Sequence, residues 1–200
     1  MRTLSVLDVG GGPVLVAGGS FTRAGGLVAS AIARWNGSSW ASFGSGLNFS
    51  VLSLAAFDDG SGGGPVLLAG GSNSPFQRLS RWNGSSWSTV PAGGVDNAVW
   101  ALQAFDDGGG AGPALYAGGH FTKTGGVTTN RVARWDGTSW SPLGSGTDGG
   151  EVAAFAVFDD GSGDALYAGG GFTSVSGVPA NRIAKWDGAS WSPLGSALDG

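Results

Sequence analysis

Apolar positions along this chain come in runs of four to eight residues, rich in Val, Leu, Phe, Tyr and Trp, parted by clusters of Gly, Asp, Asn, Ser and Pro. No stretch keeps a 3.6-residue apolar period over ten positions without an interrupting Gly, so the pattern predicts short strands and essentially no helix. The runs repeat. ARWNGSSW at 33–40 returns as SRWNGSSW at 80–87, ARWDGTSW at 133–140 and AKWDGASW at 184–191, in steps of 47, 53 and 51 residues. PVLVAGG, PVLLAGG, PALYAGG and DALYAGG keep the same rhythm, each preceded by an apolar run closing on Asp. The chain therefore divides into four tandem units, about 3–50, 51–98, 99–150 and 151–200. The second unit shows four strands, VLSLAAF, PVLLAGG, RLSRW and SWSTV. Four short strands per unit of this length describe one blade of a β-propeller.

The repeated octet reads as a tight hairpin. If Gly37 and Ser38 form the turn, Trp35 and Trp40 stand directly opposite; if Asn36 and Gly37 form it, they sit diagonally on one face. Either way the pairs Trp35/Trp40, Trp82/Trp87, Trp135/Trp140 and Trp186/Trp191 share a sheet face, with Gly37, Gly84, Gly137 and Gly188 supplying the turn. A buried indole removes about 150–250 Å² from water, so these eight side chains are expected to carry much of the core and the contacts between blades.

Composition narrows the function classes. The 200 residues hold 41 glycines and only 12% charged residues, yet nine Trp and ten Phe, which suits a loop-rich globular protein rather than a disordered one. A net charge of −4 with scattered single Lys and Arg repels phosphate backbones and anionic lipid, so neither nucleic acid nor a membrane surface is an expected partner. No Cys rules out disulfides and thiol chemistry, and fits both a reducing cytosol and a bacterial exterior. After Met1 and Arg2 the chain enters a strand-like run without the features of a signal peptide, and no apolar run is long enough to span a bilayer. A soluble molecule is expected; the compartment stays open, with an extracellular or cell-surface bacterial setting favoured over the alternatives.

The order of apolar strand, ALYAGG, ARWDG and SSWSPLG resembles the kelch repeat, and AGGHFTKTGG, NRVARWDG and SWSPLGSG are closer to the fungal cortical polarity-marker family and the bacterial delta-60-type repeats. The resemblance covers all four units. It implies a β-propeller used for binding or display, since these families share a scaffold rather than one activity. The second unit departs from the pattern: GSNSPFQRLSRW lacks about five residues of the loop that the others carry between second and third strands, which marks either drift or a deliberate break for a ligand.

Candidate chemistry is sparse. The pairs Asp58/Asp59, Asp106/Asp107 and Asp159/Asp160, with Asp164, lack the alternating spacing of a calcium loop and read as solvated turn residues, so no metal is expected. His120 is the single histidine, its counterparts being Ser20, Ser72 and Gly171, and no G-x-S-x-G elbow supports a triad around it. Arg34, Arg81, Arg134 and Lys185 precede the first hairpin Trp and either bond locally or form a ring of cations for an anion. Glu151 and the Asp residues single out no pair suited to glycoside chemistry. The best binding surface is the loop set Phe21, Thr22, Arg23, His120, Phe121, Thr122, Lys123, Phe172 and Thr173, although the same Phe side chains suit local plugs.

The expectation is an all-β propeller with four four-stranded antiparallel blades, innermost strands starting near Leu4, Val51, Val99 and Val152. Three closures stay open: a homodimer forming an eight-bladed ring, a piece of a longer propeller, or four blades closing alone. Small inner-strand residues such as Ala55, Ala56 and Ala104 tolerate wide and narrow rings alike. The expected role is a non-enzymatic scaffold binding protein or carbohydrate without a cofactor, then a structural module of a larger surface protein, then a carbohydrate-active enzyme.

Overall fold

The computed structural model describes residues 1–8, 12–72 and 78–195. The first blade contains β1 (Thr3–Asp8), β2 (Pro13–Gly18), the side hairpin β3 (Arg23–Ala24) and β4 (Leu27–Val28), then β5 (Ile32–Trp35) and β6 (Trp40–Ser42). The second contains β7 (Ser50–Phe57), β8 (Val66–Ser72), β9 (Leu79–Trp82) and β10 (Trp87–Thr89). The third runs β11 (Val99–Phe105), β12 (Ala114–Gly119), β13 (Lys123–Thr124), β14 (Val127–Thr128), β15 (Val132–Trp135) and β16 (Trp140–Pro142). The fourth repeats it as β17 (Val152–Asp159), β18 (Asp164–Gly170), β19 (Ser174–Val175), β20 (Val178–Pro179), β21 (Ile183–Trp186) and β22 (Trp191–Pro193). Each blade is a four-stranded antiparallel meander in chain order, and the described residues include no helix. The five-residue shortening of the second unit falls on residues 73–77, which lie outside the described set.

Trp35 pairs directly with Trp40, as Trp82 does with Trp87, Trp135 with Trp140 and Trp186 with Trp191, so the turn is centred on the Gly and the residue after it. The ring centroids of each pair lie 5.3 to 6.1 Å apart. What holds the turn is the residue before the Gly: Asn36 Oδ1 accepts from the N–H groups of Ser38 (3.0 Å) and Ser39 (2.9 Å), and Asp136 Oδ1 accepts from Thr138 and Ser139 at 2.8 Å each. Asn and Asp interchange here because only an acceptor oxygen at that spot is needed.

Alternation of side chains gives every inner blade one face toward the preceding blade and one toward the next. Leu54, Leu67, Trp82 and Trp87 look back at the first blade, where Leu7, Val16 and Phe43 look forward to meet them. Leu102, Leu115, Trp135 and Trp140 look back in the same way onto Phe57, Val66 and Leu68. Leu166, Trp186 and Trp191 repeat it against Phe105, Tyr116 and Leu143. The indole N–H groups of Trp87, Trp140 and Trp191 donate across the seams to the carbonyls of Phe43, Gly93 and Leu143 at 3.0, 3.3 and 3.3 Å. Three hydrophobic clusters thus join blades one to two, two to three and three to four.

Among the described residues no such cluster joins blades four and one. Leu4 and Val6 on β1 are 48% and 61% exposed, and Phe158 on β17 is 59% exposed. The described residues form an open arc of four blades that does not close into a ring of its own. Short apolar faces at both ends leave an edge that small blades cannot cover by themselves.

Polar ties finish each seam. Asp96, in the link from blade two to three, accepts from Thr122 N (2.8 Å), Thr122 Oγ1 (2.6 Å) and Lys123 N (3.0 Å). Burial works to raise the Asp96 pKa, and the bonds from Thr122 and Lys123 outweigh it, leaving the carboxyl below its ordinary value. One seam on, Asp148 accepts from Thr173 N at 3.1 Å and from the Thr173 hydroxyl, and this hydroxyl above all lowers its pKa to about 2. The hairpins β13–β14 and β19–β20 reach over these links, with isolated bridges from Val95 to Thr124 and from Thr147 to Val175.

Two measurements check this frame. A Cβ at Gly137 would come within 2.5 Å of the Asp59 carbonyl oxygen of the preceding blade, whereas one at Gly126, also at positive φ, would meet nothing described within 4 Å. Both replacements by Ala meet left-handed strain of about 1–2 kcal/mol. In urea unfolding, Gly137→Ala should cost about 1–3 kcal/mol more than Gly126→Ala, because only the first also overpacks a seam. Equal losses would show that the seam is not closed there. The Asp148 tie sets a pH dependence: with a folded pKa near 2 against 3.8 for the free group, its stabilisation is complete above pH 3.8 and is lost as pH falls through 2. Asp148→Asn should lower the melting temperature at pH 7 and flatten the wild-type decline between pH 4 and 2; superimposable pH curves would remove Asp148 from this role.

Candidate functional site

The inner strands carry a break in their ladders. Register shifts lie between Val51 and Ser53, Val99 and Ala101, and Val152 and Ala154, so Leu52, Trp100 and Ala153 are extra residues turned out of the pairing. Bulges of this kind re-aim one side chain while the strand continues. In the first blade the same place, just before Thr3, is held by Arg2, whose N–H donates to the Gly18 carbonyl at 2.9 Å. These four positions meet at the end of the arc where the inner strands begin. Together with Ser72, Ala98 and His120 they line an open cavity of about 500 Å³ around the inner edge.

Chemically the cavity is mixed. Arg2 supplies a guanidinium, Leu52, Ala98 and Ala153 an apolar floor, and Ser72 a hydroxyl. Trp100 is half-buried and His120 exposed, and their rings meet edge to face with centroids 4.7 Å apart. The His120 backbone N–H donates to Ala98 O at 2.9 Å, which seats the imidazole beside the indole. A planar or apolar group can lie on this pair while a carbonyl or carboxylate reaches Arg2. The lining includes no carboxylate, and Glu151 stands one blade on from Ala98, with its oxygens 2.9 to 3.1 Å from where a Cβ on Gly171 would lie. Among the described residues no group of three or more His, Asp or Glu is placed to hold a metal ion.

The loop residues singled out from the sequence fall into separate groups. His120 lines the mouth. Phe121 and Phe172 are fully buried, and Phe21 is half-buried. Each lies under its own loop, whose return strand donates back to it: Ala31, Arg131 and Arg182 N–H bond to the carbonyls of Phe21, Phe121 and Phe172 at 2.8, 2.8 and 2.7 Å. Thr122, Lys123 and Thr173 are engaged by Asp96 and Asp148 at the seams. Thr22 and Arg23 are exposed on the first blade, with Arg23 Nη1 donating to Gly26 O at 3.0 Å. Phe121, Phe172, Thr122 and Thr173 thus hold loops rather than line the mouth.

At the opposite end of the blades lie the Asp pairs. The first member caps a turn, as Asp58, Asp106 and Asp159 accept from the N–H groups of Gly60, Gly108 and Gly161. The second is more than a solvated turn residue, for Asp59, Asp107 and Asp160 pair with Arg81, Arg134 and Lys185 of the same blade. Tyr116 and Tyr167 donate their hydroxyls to Asp107 and Asp160 at 2.9 Å each, and burial first, then this carboxylate, pushes the Tyr116 pKa up. The basic residues are thereby occupied inside their blades and form no shared ring of cations; Arg34, whose unit reads DVG, makes no ion pair among the described residues.

Sequence reasoning missed Trp100. Its signal was available: it is the ninth tryptophan, outside all four hairpins, at a position where the units read Arg, Leu, Trp and Ala between otherwise matching neighbours.

Compared with solved structures, the chain is similar to the β-propeller BBS1N in a crystal structure of BBS1N in complex with ARL6DN, soaked with lead, with a TM-score of 0.54 and 11% sequence identity. The match covers 97% of this chain and 58% of that one, so the chain spans less than two thirds of its neighbour's length. No protein-family model matches the chain, and no curated protein matches it in sequence. At this identity the likeness shows the fold alone: an all-β, propeller-like arrangement of antiparallel blades.

Proposed function

We propose that the chain is a non-enzymatic propeller scaffold that binds a protein segment at the mouth lined by Arg2, Leu52, Trp100 and His120. The observation that carries this reading is the bulge position. Core positions repeat in kind from blade to blade, whereas the four side chains turned into the mouth are a cation, an aliphatic, an indole and a methyl group. A repeat kept only for packing gains nothing from that difference, and a ligand that touches all four does. The neighbouring propeller BBS1N is in complex with a protein, ARL6DN, which favours a protein ligand here. The kelch-like and delta-60-type resemblance points the same way, toward binding and display, and a second chain completing the ring would enlarge the same mouth.

A carbohydrate is the second reading, favoured by the indole and the neighbouring hydroxyl of Ser72. Peptide and glycan arrays probed with the labelled chain separate the two. The expected result is capture of peptides carrying an apolar or aromatic residue near an acidic one, with affinity weakened about tenfold or more by Trp100→Ala. The melting temperature should hardly move, since Trp100 is only half-buried. Selective glycan capture would replace the ligand class, cleavage of any glycan would overturn the non-enzymatic reading, and capture indifferent to Trp100→Ala would move the site elsewhere. No capture on either array would favour a purely structural module.

A further inference from the structure

We propose that the link between the first and second blades is a strand-addition site, taking an extended segment of a partner protein where the later links take a hairpin of their own chain. The site shares no lining residue with the mouth and stands apart from that reading.

The two later links show what such a site holds. Each presents one backbone acceptor and one backbone donor to the side hairpin of the next blade. Gly94 O accepts from Gly125 N at 2.9 Å, and Asp96 N donates to Lys123 O at 3.2 Å. One blade on, Gly146 O accepts from Ser176 N at 2.7 Å, and Asp148 N donates to Ser174 O at 3.2 Å. Between these bonds Thr124 and Val175 stand opposite Val95 and Thr147 and are fully buried. The third hairpin also lies close on its own blade: a Cβ at Gly125 would come within 3.0 Å of the Trp140 ring.

The first link has the same shape but no hairpin over it. Gly44 and Gly46 have φ of +62° and +77°, and their counterparts Gly144 and Gly146 have +63° and +78°. Leu47 N donates to Ser30 O at 2.8 Å, as Thr147 N does to Asn130 O at 3.0 Å, so each link is held from its own blade in one way. The second unit is about five residues shorter between β8 and β9, and its described strands include no side hairpin. Among the described residues Asn48 N–H has no acceptor, and Gly46 O meets only the Ser45 hydroxyl at 3.4 Å. An open cleft of about 400 Å³ lies there, lined by Ser30, Ser45, Leu47, Asn48 and Trp87. Trp87 is half-buried although it packs on the first blade, whereas Trp140 and Trp191 are buried.

The open groups select the occupant. A backbone N–H and C=O on either side of one residue form a short strand edge, which the main chain of an extended segment completes. A sugar hydroxyl meets either group singly but leaves empty the place opposite Leu47, where the later links bury a β-branched side chain. Asn48 stands where Asp96 and Asp148 accept from the hydroxyls of Thr122 and Thr173, and its amide oxygen accepts in the same way. The occupant therefore carries Thr or Ser, one variable residue, a β-branched residue and then Gly or Ser, as FTKTGG and FTSVSG do. That last residue turns the segment away at positive φ, +56° at Gly125 and +51° at Ser176.

The test is a synthetic peptide of residues 120–131 titrated into the full chain labelled with nitrogen-15. Saturable shifts are expected at the amides of 46–48 and at the Trp87 indole. Asn48→Pro removes the donor on the link, and N-methylation of the peptide glycine equivalent to Gly125 removes the donor to Gly46 O. Each should weaken binding about tenfold or more, and the methylated peptide needs no variant to fold. Replacing residues 73–77 by FTKTGGVTTN, the sequence of 121–130, should abolish binding by filling the site from within. No saturable shift would overturn the proposal, as would shifts at Trp100 and His120 in place of the link. Equal binding of the methylated peptide, or undiminished binding by the loop-exchanged chain, would do the same.

Discussion

Everything in this molecule depends on an indole pair laid against the forward face of the preceding blade. The pair is made by a four-residue turn, is held on one face by direct cross-strand pairing, and is buried only when another blade stands in front of it. A buried indole removes about 150–250 Å² from water, which at about 25 cal/mol per Å² is an upper bound of roughly 4–6 kcal/mol. No single blade can realise that term, because its tryptophans face outward. Stability is therefore a property of seams, and the blade is the unit that carries half of two of them. Burial rises along the arc: Trp135, Trp140, Trp186 and Trp191 are buried, while Trp82 and Trp87, packed on the first blade, are half-buried, as are Trp35 and Trp40.

The remaining features serve the seams. The turn oxygen of Asn36, Asn83, Asp136 and Asp187 holds two backbone N–H groups so that the indoles stay opposed. The ion pairs Arg81–Asp59, Arg134–Asp107 and Lys185–Asp160 join the third strand of a blade to the turn after its first, tying inner and outer strands together. Partly exposed pairs contribute little energy each, so their value is in fixing where the strand ends lie. Asp96 and Asp148 do the same for neighbouring blades, fastening each loop after the Gly pair to the link before it.

The fold was legible in the sequence wherever a rule acts over a few residues. Strand alternation, the Gly turn and the tryptophan pair are local, and the four-blade plan followed from their repetition. The two turn registers left open by the octet were separated only by the observed pairing of Trp35 with Trp40. The roles of the loop residues were not legible, for a physical reason. Thr122 and Thr173 look like presented hydroxyls until their acceptors appear, and those acceptors, Asp96 and Asp148, are 26 and 25 residues earlier in a different blade. Likewise Phe121 and Phe172 are distinguishable from surface aromatics only by the loops folded over them. Long-range ties leave no mark at short spacing.

Repetition itself separates scaffold from site. In a chain whose parts all face the same packing problem, a position that repeats is explained by the seam, and one that does not repeat must answer to something the seams do not require. The bulge position is of the second kind. Its side chains are turned out of the ladder, so packing leaves them free, and they converge where the inner strands begin. His120 belongs with them, because its counterparts Ser20, Ser72 and Gly171 differ as freely, while the Phe next to it recurs in three of the four units. Trp100 and His120 touch each other at a place where the units differ in side chain. The rigid seams fix those side chains in space, and the difference is what a ligand can read.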